Sequence, residues 1–120
     1  MVTLATWGGR SEFRYEGSVT QGTWISWKDK SKAEGWSKPW LVKAGEYQGL
    51  LSNFSGQEVP LGNYRDPAPG TVEAWLKKQY DQWGLTSYLG AILVREGYAE
   101  RAAQRGRILF LPNQPTPNPA

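Results

Sequence analysis

At 120 residues, with 39% apolar residues and seven Trp, the chain has the size and apolar content of one domain with a real core. Fourteen Lys and Arg against eleven Asp and Glu leave a net charge of +3, a basic balance that permits a nucleic-acid partner without demanding one. There is no Cys and no His, which removes disulfides, thiol chemistry, zinc sites of the Cys/His type, Ser-His-Asp catalysis and a histidine pH switch.

In chain order, Thr3 to Trp7 is apolar with Thr interleaved and suits a first strand, and Gly8-Gly9 is a turn signal. Ser11 to Val19 alternates, with Phe13, Tyr15 and Val19 set against Arg14 and Glu16, as a half-buried strand does. Gln21-Gly22 turns the chain into Thr23 to Lys28, where Trp24 and Ser26 share one face and Ile25 and Trp27 the other. Thr3 to Lys28 therefore reads as a three-stranded meander. Asp29 to Pro39 is a polar, basic loop. Trp40 to Val42 suits a short strand and Gly45 to Leu51 another. Asn53 to Gly56 is turn chemistry, and Val59 to Asn63 is irregular because Pro60 cannot sit in a sheet interior. Asp66-Pro67-Ala68-Pro69-Gly70 is a rigid linker.

Thr71 can cap a helix whose first turn contains Glu73. Val72, Trp75, Leu76, Gln79, Tyr80 and Trp83 fall on one face, Lys77, Lys78, Asp81 and Gln82 point outward, and Gly84 ends the helix. Thr86 or Ser87 caps a second helix with Leu85, Leu89, Ile92 and Leu93 on one side, and Gly97 closes it. Tyr98 to Pro112 has two readings: more helix through Arg105 and then a strand, or a hairpin turning near Arg105-Gly106-Arg107. The tail from Pro112 to Ala120 is rich in Pro, has no large apolar residue, and is expected to be disordered.

The succession of helix, glycine turn and helix, then Leu93-x-x-x-Gly97-Tyr98-x-Glu100-Arg101 and Arg105-Gly106-Arg107-x-Leu109, resembles a winged helix-turn-helix DNA-binding domain over Thr71 to Leu111. The resemblance implies that the second helix enters the DNA major groove and that the hairpin is the wing. One departure stands out. Opposite Leu85, Leu89 and Ile92 the second helix carries Ser87, Gly90, Ala91 and Val94, and only Arg95 offers a strong base-reading group. A helix apolar on both sides is more often buried, which places a central core helix ahead of a recognition helix.

Strands followed by helices argue an α+β class: an N-terminal antiparallel β-meander packed on two or three C-terminal helices, with a winged-helix-like end. The expected layout is one domain over 1–111, made of a Trp-rich β part (1–65), the linker (66–70) and a helical and wing part (71–111), followed by the tail.

Two clusters carry candidate function. Lys28, Lys30 and Lys32 lie among Trp24, Trp27, Trp36 and Trp40, an aromatic and basic mixture of the kind that binds single strands. Trp24 and Trp27 lie on opposite strand faces, so a structural role weighs more. Exposed Trp27, Trp36 and Trp40 equally suit a protein partner. Arg101, Arg105 and Arg107, with Arg95 as a further candidate, suit phosphate or minor-groove contacts if the segment is a hairpin; if it is helix, Arg101 and Arg105 stack at i, i+4 near a C-terminus, the ordinary explanation. No carboxylate pair has a spacing with mechanistic meaning and Gly8-Gly9 lacks a phosphate-loop context, so no enzyme, cofactor or metal is expected. The leading expectation is a small nucleic-acid-associated accessory protein, of the sort mobile elements carry, binding DNA largely through phosphates. The alternative is an inhibitor or adaptor docking on a host protein through its Trp-rich surface. With no signal-peptide pattern and no long apolar stretch, the expected location is cytoplasmic, away from membranes.

Overall fold

In the computed structural model, which describes residues 1–112, the alternating N-terminal segments pair into an antiparallel sheet. Its strands are β1 (Val2–Ala5), β2 (Glu12–Ser18), β3 (Gly22–Trp27) and β4 (Trp40–Val42), in that order. Partners Leu4 and Phe13, Phe13 and Trp27, Tyr15 and Ile25, and Ile25 and Trp40 put these side chains on one face, which covers the helices. Thr3, Arg14, Glu16, Trp24 and Leu41 occupy the other face by the same alternation.

The segment expected as a strand over Gly45 to Leu51 is instead part of helix α1 (Ala44–Phe54). Tyr47, Leu50 and Phe54 are its buried stripe at helical spacing, and the Glu46 carboxylate accepts the Lys43 amide at 3.1 Å at its start. Gly45 and Gly49 are poor helix formers, which hides the helix in the sequence. A Cβ at Gly49 would collide with the Tyr80 hydroxyl, so glycine there serves close packing rather than a turn.

Val59-Pro60, expected to be irregular, belongs to a short strand β5 (Glu58–Pro60). Pro60 is the last residue of an edge strand, where its missing N–H costs no ladder bond. Residues 61–71 then contain no helix or strand.

Helix α2 (Val72–Tyr80) begins as expected, with Thr71 Oγ1 accepting the Ala74 amide at 3.1 Å. It ends earlier than expected. Asp81 takes the left-handed conformation (φ 54°) and its N–H closes on Lys77 O at 3.0 Å, before Gly84 is reached. The helical face therefore cannot be extended past Tyr80. Gln82 turns inward to 7% exposure and Trp83 outward to 58%, the reverse of the helical projection.

Helix α3 (Thr86–Arg95) buries Leu89, Ile92 and Leu93, with Leu85 just ahead of it. Gly97 (φ 88°) lets Tyr98 N reach Leu93 O at 2.9 Å, sealing the end. The chain then forms a hairpin, β6 (Ala99–Arg101) and β7 (Arg107–Phe110), which decides between the two readings of that segment. β5 pairs with the far side of β7, giving a second sheet in the order β5-β7-β6. The protein is α+β, and one apolar cluster runs from Phe13 through Tyr47, Leu76 and Leu89 to Phe110. No helix among the described residues is long and apolar enough to cross a membrane. The tail expected to be disordered lies, from residue 113 on, outside the described residues.

Candidate functional site

The hairpin brings Arg101, Arg105 and Arg107 to one concavity of about 300 Å³, completed by Trp7, Gly8, Ala102, Gln104 and Gly106. Each arginine is held differently. The Arg101 guanidinium lies 4.1 Å from the Trp7 ring centroid and donates to Trp7 O at 2.9 Å. Arg107 donates to Glu58 Oε2 at 2.8 Å and to Glu58 O at 3.2 Å, across the β5–β7 ladder. Arg105 sits exposed at the tip. No carboxylate is among the described residues lining the concavity. Glu58 compensates the charge of Arg107, so the concavity offers two guanidiniums to an anion, Arg101 held in place by Trp7 and Arg105 at the exposed tip.

Trp7 is part of this site although nothing in its local sequence sets it apart from the other Trp residues. Its amide donates to Ser87 O at 3.0 Å and its ring covers Gly90, whose absent side chain leaves the room. The N-terminal sheet thereby lies across α3. Tyr88 packs on Phe13 (centroids 5.0 Å apart) and stacks on Trp27 (5.7 Å, planes 8° apart). At the end of α3, Glu96 accepts from Tyr15 and from the Val19 amide. Burial first, and then Glu96, push the Tyr15 hydroxyl up to about 12. Ala91 and Val94 also pack on the core. Of the residues on that side only Arg95, in the last turn of α3, is well exposed.

The remaining candidates lie elsewhere. Lys28 pairs with Glu12 at 3.2 Å, with both side chains largely exposed. Lys30 and Lys32 belong to a loop ordered by Asp29, whose carboxylate accepts the Ser31 amide and hydroxyl and is held below the usual carboxylate range by those bonds. The cations of this run are therefore interleaved with acids. Trp27, Trp36 and Trp40 do not share one surface. Trp36 carries the Arg14 guanidinium 4.3 Å over its ring and bridges to Lys28. Trp27 and Trp40 lie on the opposite, helix-facing side, where Trp40 Nε1 donates to Gln82 Oε1 at 2.8 Å. Neither models of protein families, curated proteins nor solved structures match the chain.

Proposed function

We propose that this chain is a small nucleic-acid-associated protein that holds DNA by its phosphates through the β6–β7 hairpin and does not read bases with α3. The observation that carries this reading is the convergence of Arg101 and Arg105 on one concavity, beside an Arg107 that Glu58 holds in an ion pair. Two helices joined by a five-residue connection and followed by a basic hairpin also have the order that the winged helix-turn-helix resemblance implies. The covering of Ser87 and Gly90 by Trp7 argues against major-groove entry by α3, leaving contacts that are independent of sequence.

The test is duplex binding as a function of salt. Affinity should fall steeply with salt. Arg105→Ala should weaken it at every sequence and lower the log–log slope by about one, and Arg105→Ala with Arg101→Ala by about two. Wild-type protein without salt-dependent duplex binding would falsify the reading.

One observation favours a second reading, docking on a protein. Trp24 stands half exposed on the open face of the N-terminal sheet, the face that also carries Arg14 with its Trp36 stack. Under that reading duplex binding is absent, and Trp24→Ala or Trp36→Ala abolishes partner capture without unfolding the protein.

A further inference from the structure

A second concavity, of about 440 Å³, opens between the turn after α2 and the end of β3. It is lined by Trp27, Tyr64, Trp83, Gly84, Leu85 and Tyr88. Trp27 and Tyr88, locked in their mutual stack, form a fixed wall. A phenol and an indole are both uncharged at neutral pH, and burial moves the Tyr88 hydroxyl further from ionising. Tyr64 and Trp83 are different. They are 50% and 58% exposed, and their rings are open to solvent beside the wall.

Each open ring carries a cation. Lys77 Nζ lies 5.1 Å from the Trp83 centroid, and the Arg65 guanidinium lies 5.7 Å from that of Tyr64. No carboxylate is among the described lining residues. Half-exposed aromatic rings with a cation held against each match a chain of flat rings joined by phosphates. A duplex does not meet this requirement, because its bases are already stacked on one another. A proline-rich peptide would use an aromatic groove but has no need of the two cations.

We propose that this cleft stacks unpaired bases of a single-stranded nucleic acid on Tyr64 and Trp83, with Arg65 and Lys77 meeting the flanking phosphates. It is distinct from the hairpin concavity, yet the two are adjacent through α3: Ser87 O holds Trp7 of one, and Tyr88, the next residue, lines the other.

The experiment measures binding of a labelled oligo-dT of about a dozen nucleotides, a length that covers an ordinary single-strand site. Trp83→Ala should weaken it about tenfold, the usual loss for one stacked base, and Trp83→Phe should retain most of the affinity. Trp83 is largely exposed, so its circular dichroism and melting should be unchanged. Duplex binding should survive Trp83→Ala, whereas Arg105→Ala acts on duplex, so failure of this proposal is separable from failure of the hairpin reading. Oligo-dT affinity that is undetectable, or that is equal in wild type and Trp83→Ala, overturns the proposal. So does capture of decaproline in place of oligo-dT.

Discussion

The Tyr15 hydroxyl donates to Glu96 Oε2 at 2.7 Å, fastening the middle of the N-terminal sheet to the cap residue of α3. The other carboxylate oxygen accepts the Val19 amide at 2.9 Å, so one side chain satisfies two groups of the sheet. This contact and the Trp7–Gly90 contact keep the sheet over α3, which bears on whether that helix can ever meet DNA.

Burial of Tyr15, and next its contact with Glu96, makes stability depend on alkaline pH. Tyr15 is raised from an ordinary value of 10.0 to about 12, so folding favours its neutral form. Its contribution is fully present below about pH 10 and is lost as pH climbs through 12. A shift of that size corresponds to roughly 2–3 kcal/mol. Tyr47 and Tyr88 are shifted in the same direction by burial and steepen the loss. Tyr15→Phe should lower stability at neutral pH by leaving Glu96 with one partner, and should flatten the decline between pH 10 and 12. Parallel urea-midpoint curves for wild type and Tyr15→Phe across that range would refute the linkage.

A second carboxylate joins the two helices. Glu73, 1% exposed in the first turn of α2, accepts the Gly84 amide at 2.9 Å and the Thr86 hydroxyl at 3.3 Å. It therefore lies near the N-terminal ends of both α2 and α3, where negative charge is favoured. Glu73→Ala strands the buried Thr86 hydroxyl and the turn amide, and should cost about 2–3 kcal/mol by urea denaturation. Glu73→Gln keeps an acceptor and should cost about half as much. A loss below about 0.5 kcal/mol for the Ala variant would mean that water replaces the carboxylate at no cost.

These two acids show what was and was not legible in the sequence. The strands of the meander were readable because Phe13 and Tyr15 alternate with charged residues and Ile25 and Trp27 share one parity, and Thr71 was readable as a cap because its chemistry is local. Helix α1 was not, because Gly49 answers to Tyr80 of another helix. The end of α2 was not, because a left-handed Asp81 stops the helix where a glycine was expected to do so. Glu73 was assigned only to the helix dipole, since its partners Gly84 and Thr86 lie a turn beyond α2. Of the candidate site, the Arg-Gly-Arg tip was visible. Trp7 reaches Arg101 from 94 positions away, and the rings of the aromatic cleft come from separate segments, so neither grouping leaves a local pattern.

Gly90 couples the fold to the hairpin site. A Cβ at Gly90 would sit 2.7 Å from Trp7 Cε3, too close for the ring to stay. Alanine is favoured over glycine inside a helix by about 1 kcal/mol, which offsets much of the crowding cost of roughly 1–3 kcal/mol. Gly90→Ala should therefore remain folded, with a melting temperature near or a little below wild type. Its effect should appear at Arg101, which loses the ring beneath it and the Trp7 carbonyl that fixes its direction. Duplex affinity at fixed salt should drop to about the level of Arg101→Ala. The double variant should be no weaker than either single one, because both changes remove the same positioned cation. Full duplex affinity in a folded Gly90→Ala protein would mean that Trp7 does not position Arg101. Additive losses would mean that Trp7 touches the nucleic acid itself.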